Sequence, residues 1–184
     1  GSRIEVDAPD GGVVMQTIPG VGTVPVQLAT SRSIKTQIDD YLAEHGNAFN
    51  AQQLVLIEGG ANDFFNFLGQ VAQNPALANT APAVISATAT AMVNQVARLK
   101  AAGATRIIYA SLPDLGLTPQ FRPTPLAGLA TQISTPYNAA VANALANRTA
   151  LMMGSILVAN GKLRQDQIEL ILNEQRITGQ RFGE

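Results

Sequence analysis

Two short apolar runs, residues 54 to 58 and 106 to 110, constrain the fold of this chain more than any other feature. Each run is bounded by polar residues or glycine, the pattern of a strand that is buried on both faces of a parallel sheet. Between them one apolar helical stripe ends at Gly103 and comprises Ile85, Ala89, Met92, Val96 and Leu99. The order of strand, helix and strand predicts a layered α/β domain with a parallel sheet over residues 3 to 149.

Weaker patterns predict the other elements. Residues 3 to 30 are expected to be extended and rich in turns, and a helix is expected from Ser33 to Gly46. Residues 64 to 73 predict a further helix. Thr135 and Pro136 form a typical helix start, which predicts a last helix that ends near Asn147.

Composition excludes several kinds of site. The chain has no cysteine and one histidine, so it offers neither a thiolate nucleophile nor a typical zinc centre, and no cofactor is expected. Its net charge is -1 and it has no basic run, which argues against nucleic acid as a partner. The sequence contains no uninterrupted run of 18 apolar residues, so it predicts no membrane span. Gly1 and Ser2 resemble a tag remnant.

One motif follows the first predicted strand. Gly60-Ala61-Asn62-Asp63 resembles the third conserved block, Gly-x-Asn-Asp, of the GDSL or SGNH hydrolases. Leu112-Pro113-Asp114-Leu115-Gly116 and Tyr137-Asn138-Ala139-Ala140 resemble later segments of the same family. Pro19-Gly20-Val21-Gly22 and the helix that contains residues 38 to 42 resemble earlier ones, so the resemblance covers about residues 10 to 148.

This resemblance implies a three-layer, flavodoxin-like fold and hydrolysis of small esters by a serine nucleophile with a histidine base. It also implies that Asn62 donates to the oxyanion, as does the backbone amide of Gly12, with Gly11 as the alternative and Gly20 and Gly22 as rivals. One such donor is typically worth about 3 to 4 kcal/mol of the barrier. The predicted catalytic cleft lies above the strand ends, at residues 58 to 63 and 110 to 116.

Two catalytic blocks of the family have no match in this sequence. No Gly-Asp-Ser-Leu precedes Gly12, where Ser2 is the only serine, and no Asp-x-x-His follows Asp114. The single histidine, His45, comes before Asn62. We therefore expect this chain to be an esterase core that is incomplete or inactive by itself. Whether it is an enzyme on its own stays open.

The polar residues also have ordinary structural interpretations. Asn62 and Asp63 suit a turn or a helix cap. His45 suits an exposed helix end, where its charge would favour the helix dipole. Asp114, beside Pro113, suits a residue that shapes a loop rather than an acid.

The tail, residues 150 to 184, predicts a separate helical segment. From Met152 to Gly183 its spacing resembles the N-terminal domain of type II secretion and type IV pilus ATPases, whose tandem motifs bind cyclic di-GMP. Met152 replaces the opening arginine of that motif, and only three residues of a second copy follow. The esterase-like core is typical of exported proteins, whereas the tail resembles a cytoplasmic domain. The alternatives to an esterase are therefore a cyclic di-GMP-binding module and a noncatalytic, truncated or composite polypeptide.

Overall fold

The computed structural model describes residues 2–8, 13–27 and 31–159. The chain divides into two compact units, residues 1–139 and 140–184, and the described part of the second unit is helical. The strands are β1 (Val13–Ile18), β2 (Gly22–Gln27), β3 (Leu54–Ile57) and β4 (Arg106–Tyr109). The helices are α1 (Ile34–Glu44), α2 (Ala61–Gln73), α3 (Ala81–Ala101) and α4 (Ala127–Ala159), with 3-10 turns at Pro75–Thr80 and Leu115–Leu117.

Strands β3 and β4 form the parallel pair that the sequence predicts. Leu54 is opposite Arg106 and Ile57 is opposite Tyr109, and α2 and α3 make the crossover between the two strands. The Ala110 N–H also donates to the Ile57 carbonyl at 2.9 Å. The α/β fold class is therefore confirmed, and the carboxyl ends of both strands lie side by side.

The prediction that this sheet is buried on both faces is wrong. Leu54, Leu56 and Ile108 are 64%, 69% and 50% exposed, whereas Ile57 is 6% exposed. Side chains alternate between the two faces of a strand, so these three share the open face and Ile57 lies on the covered one. An apolar run therefore predicted the strand, but it did not show how many layers cover it.

The core lies among the helices of the first unit. Large apolar side chains of α2, α3, the start of α4 and the N-terminal segment are at most 2% exposed, among them Phe64, Leu68, Met92, Leu99, Ile133, Tyr137 and Ile4. Phe64 packs edge-on against Tyr137, with ring centroids 5.1 Å apart. This packing fixes the start of α2 against α4.

Strands β1 and β2 form an antiparallel hairpin, in agreement with the extended, turn-rich pattern. Val13 pairs with Gln27 and Ile18 with Gly22. The turn needs a left-handed backbone at Gly20 (φ 81°) and Gly22 (φ 99°), which glycine adopts readily. Turn geometry is thus a sufficient reason for both of these glycines.

Helix α4 begins earlier and ends later than the sequence predicts. It starts at Ala127, so Pro136 lies inside it instead of at its first turn, and it reaches Ala159 instead of ending near Asn147. Proline removes one helical hydrogen bond. Ala130, Ile133 and Tyr137, which are buried at helical spacing, extend the apolar face across the proline.

One described stretch, Pro75–Ala101, is long and apolar enough to cross a membrane when judged only by length and composition. Helices that build a protein core pass the same test. Met92, Val93, Val96 and Leu99 of this stretch belong to the buried core here. The stretch is therefore weak evidence for a membrane span.

Candidate active site at the start of helix α2

Two glycines form the turn that joins β3 to α2. A Cβ atom on Gly59 would collide with the side chains of Ile34 and Met92. Gly60, the N-cap of α2, has φ 108°, and a Cβ there would lie 2.7 Å from the Tyr137 hydroxyl oxygen. Gly60 therefore requires glycine, whereas a side chain at Gly59 would displace the ends of two flexible side chains. The turn places Asn62 in the first turn of the helix.

The Asn62 side chain is directed at a carbonyl oxygen. Its Nδ2 donates to the backbone carbonyl of Ser2 at 2.7 Å, within the range of a good N–H···O hydrogen bond. Asn62 is partly buried and is not the N-cap, so the interpretation as a helix cap does not describe its contact. An amide held in this way has the chemistry of a donor to a developing oxyanion.

Asp63 holds the same N-terminal segment. Its Oδ2 accepts from the Ile4 N–H at 3.1 Å. Burial raises the pKa of the Asp63 carboxyl above its usual value, although the hydrogen bond from Ile4 and the charge of Arg3 offset part of that rise. Asn62 and Asp63 thus bind a backbone C=O and a backbone N–H that are two residues apart.

Asn62 opens onto a cleft of about 540 Å³. The lining residues are Arg3, Val6, Asp7, Ala8, Asn62, Phe65, Asn66 and Gln120. Of the residues that were predicted to border the catalytic cleft, 58 to 63 and 110 to 116, Asn62 alone belongs to the described lining of this one. Residues 110 to 116 were expected to line the other side of the cleft. The N-terminal segment and Gln120 line it instead.

The comparison with known families is decisive at this point. The family model described as GDSL-like lipase/acylhydrolase matches residues 13–166, well over half of the chain. The chain belongs to the GDSL-like lipase/acylhydrolase family. A search of curated proteins gave no match.

In this GDSL-like chain the segment after β4 is fixed by α4. Asn138 clamps Leu112 from both sides, because Leu112 N–H donates to Oδ1 at 2.9 Å and Nδ2 donates to the Leu112 carbonyl at 2.8 Å. Asp114 accepts from the Gly116 N–H at 2.9 Å and from the Thr131 hydroxyl at 2.8 Å. Asp114 therefore shapes the loop, as its structural interpretation predicts.

The remaining predicted site residues have separate positions. Gly12 and Gly11 lie outside the described residues, so Gly12 stays a predicted oxyanion donor. His45 is the C-cap of α1, where it is exposed and stacks on Tyr41 with ring centroids 4.0 Å apart. It does not line the cleft. The structure thus supports the helix-end interpretation of this histidine.

Sequence reasoning assigned no role in the GDSL-like site to four residues, although it quoted the segment that begins with Tyr137. Ser2, taken as part of a tag remnant, supplies the carbonyl that Asn62 binds, and Ile4 is buried beneath the turn. Tyr137 donates from its hydroxyl to the Gly59 carbonyl at 2.7 Å. Beside it, the Tyr109 hydroxyl is buried and lies close enough to the Tyr137 hydroxyl to change its pKa, although among the described residues no well-aligned hydrogen bond is found for it. These contacts join residues that are far apart in the chain, so no local sequence pattern predicts them.

Candidate metal ligands do not cluster at this site. In the described ranges no three His, Asp or Glu side chains are grouped so that they could hold a metal ion. The chemistry that the site offers is that of amide donors, one guanidinium and carboxylates.

Proposed function

We propose that this chain is the core of a GDSL or SGNH-type carboxylic ester hydrolase in which the Asn62 side chain donates to the substrate oxyanion. The observation that carries this proposal is the bond from Asn62 Nδ2 to a carbonyl oxygen at 2.7 Å, at the edge of a cleft. Membership of the family supports ester hydrolysis as the reaction class. Gly12 is proposed as a second donor, through its backbone amide.

The Asn62 contact suits an acyl transition state. An oxyanion donor works when its N–H lies about 2.7–3.1 Å from the oxygen that becomes negative. Asn62 already holds an oxygen at such a distance, and the turn behind it is anchored by the hydrogen bond from Tyr137 to the Gly59 carbonyl. The donor is therefore held in place before any substrate binds, which is the condition for stabilising a transition state rather than a ground state.

Hydrolysis also needs a nucleophile and a base. The sequence offers no Asp-x-x-His, and its single histidine, His45, is not part of the cleft lining. Oxyanion stabilisation and binding alone leave a rate about 10³–10⁴-fold above that in water in hydrolases that have lost their triad. We propose slow, Asn62-dependent hydrolysis of small esters by this chain.

The test is hydrolysis of nitrophenyl acetate by the native chain and by Asn62→Ala. Asn66→Ala is the matched control, because Asn66 lines the same cleft one helical turn further along α2. Loss of one oxyanion donor lowers the rate about 10²-fold or more, so Asn62→Ala should approach the buffer rate while Asn66→Ala stays near the native rate. Equal rates for all three proteins would refute the role of Asn62.

A second function rests on the tail. The spacing of residues 152 to 183 predicts a partial cyclic di-GMP motif, but beyond Ala159 these residues lie outside the described ranges. The family match and helix α4 both continue past residue 149, so the boundary there stays a prediction. Calorimetry with cyclic di-GMP tests the tail, and no heat at high micromolar ligand would remove this function.

A further inference from the structure

Tyr137 is buried below the turn that carries Asn62. Its side chain is fully buried, and its hydroxyl donates to the Gly59 carbonyl at 2.7 Å. The ring is held edge-on by Phe64, at an interplanar angle of 80°. Tyr137 therefore contacts both the residue before the N-cap of α2 and a residue in the first turn of that helix.

The peptide unit between Gly59 and Gly60 sets the direction in which α2 begins. Gly60 is in a positive-φ conformation that few residues adopt, and its carbonyl accepts the first helical bond, from Phe64 N–H at 3.0 Å. Asn62 follows two residues later. A rotation of this peptide unit would turn the first helical residues and redirect the Asn62 amide.

We propose that Tyr137 is a positioning residue for Asn62, because its hydroxyl anchors the Gly59 carbonyl and so fixes the turn that holds Asn62 at the edge of the cleft, with its amide bonded to the Ser2 carbonyl. This inference rests on the proposed function only where it assigns Asn62 to a substrate carbonyl. The positional effect itself is measured on Asn62 without any substrate.

The Tyr137 hydroxyl is suited to act as a permanent donor. Burial and the neighbouring Tyr109 hydroxyl raise the pKa of Tyr137 far above its usual value, and the carboxylate of Asp63 adds to the rise. Tyr137 thus keeps its proton across the ordinary pH range, and the hydrogen bond to Gly59 does not depend on pH.

The turn also fits Tyr137 closely. A Cβ on Gly60 would approach the Tyr137 hydroxyl oxygen to 2.7 Å and the Cζ atom to 2.8 Å, both well inside van der Waals contact. Gly60 and the Tyr137 ring are therefore complementary in shape, and the Tyr137 hydroxyl is also hydrogen-bonded to the carbonyl of the preceding residue, Gly59. A tyrosine that merely filled space would need the ring alone.

The experiment compares Tyr137→Phe with Tyr109→Phe, which removes the neighbouring hydroxyl but leaves the bond from Tyr137 to the Gly59 carbonyl in place. Side-chain amide signals of Asn62 are assigned by NMR with the help of Asn62→Ala, and their hydrogen exchange with water is measured. Tyr137→Phe should shift the Asn62 signals and speed the exchange about tenfold, the effect of losing one net hydrogen bond. Tyr109→Phe should leave both unchanged.

A purely structural Tyr137 would give another result. Tyr137→Phe would then lower the melting temperature but leave the Asn62 signals and their exchange as in the native chain, and the proposal would be overturned. The proposed function fails in a different measurement, if Asn62→Ala hydrolyses the ester as fast as the native chain. The two failures are therefore distinguishable.

A second measurement serves if Tyr137→Phe does not fold. In the native chain the Tyr137 hydroxyl proton should exchange slowly enough to be observed and should show a nuclear Overhauser contact with Gly60. A rapidly exchanging hydroxyl proton would overturn the proposal without any variant.

Discussion

Replacing Gly60 with alanine should destabilise the protein strongly. The backbone at this position has φ 108°, and a side chain in a left-handed conformation costs about 1–2 kcal/mol. The new Cβ would also lie 2.7 Å from the Tyr137 hydroxyl oxygen, and overpacking of a core typically costs about 1–3 kcal/mol. Together these effects predict that Gly60→Ala lowers the free energy of unfolding by about 2–5 kcal/mol.

Gly69→Ala is the matched control, because Gly69 belongs to the same helix and nothing lies within 4 Å of its Cβ position. In a helix interior alanine is better than glycine by about 0.5–1 kcal/mol, so this variant should be more stable than the native chain. Urea unfolding followed by circular dichroism measures both free energies. Two variants that agree within about 0.5 kcal/mol, the scatter of harmless surface changes, would refute the assigned turn geometry.

Two further predictions concern Asp63 and Asn138. Because burial raises the folded-state pKa of Asp63 above its reference value of 3.8, its contribution to stability is complete below that pH and is lost as the pH rises through the folded-state pKa. Asp63→Asn should therefore gain stability relative to the native chain as the pH rises. Urea unfolding of both proteins at several pH values measures this difference, and a difference that shrinks with rising pH would contradict the prediction. Asn138→Ala leaves the backbone of Leu112 without both of its side-chain bonds and should cost about 1–3 kcal/mol in urea unfolding, whereas Asn66→Ala should cost little. Equal losses for these two variants would show that the clamp contributes nothing.

The elements that could be predicted from the sequence are those with a strong local pattern. The apolar runs at β3 and β4 and the helical stripe of α3 follow from spacing alone, and they fixed the parallel pairing. The position of Asn62 just beyond β3 followed from the same pattern. Local propensity and tertiary packing agree for these elements.

Long-range packing decided the elements that could not be predicted. Pro136 resembled a helix start, but the buried face of α4 extends to both sides of it. The open face at Leu56 reflects the number of layers, which no single strand records. The bonds from Tyr137 to Gly59 and from Asn62 to Ser2 join residues 78 and 60 positions apart. Such contacts leave no periodic trace in the sequence.

The most direct test of the central claim is an NMR titration of the Asn62 side-chain amide with ethyl acetate, which presents an ester carbonyl and no other hydrogen-bonding group of comparable strength. The Asn62 Nδ2 carries two N–H donors, of which one bonds to the Ser2 carbonyl at 2.7 Å, so an ester carbonyl binds Asn62 either by replacing Ser2 or by accepting from the second donor. We predict a saturable shift of the Asn62 amide signals and little change at Asn66, which lines the same cleft. Asn62 signals that do not move, or that move no more than those of Asn66, would contradict the assignment of Asn62 as the oxyanion donor.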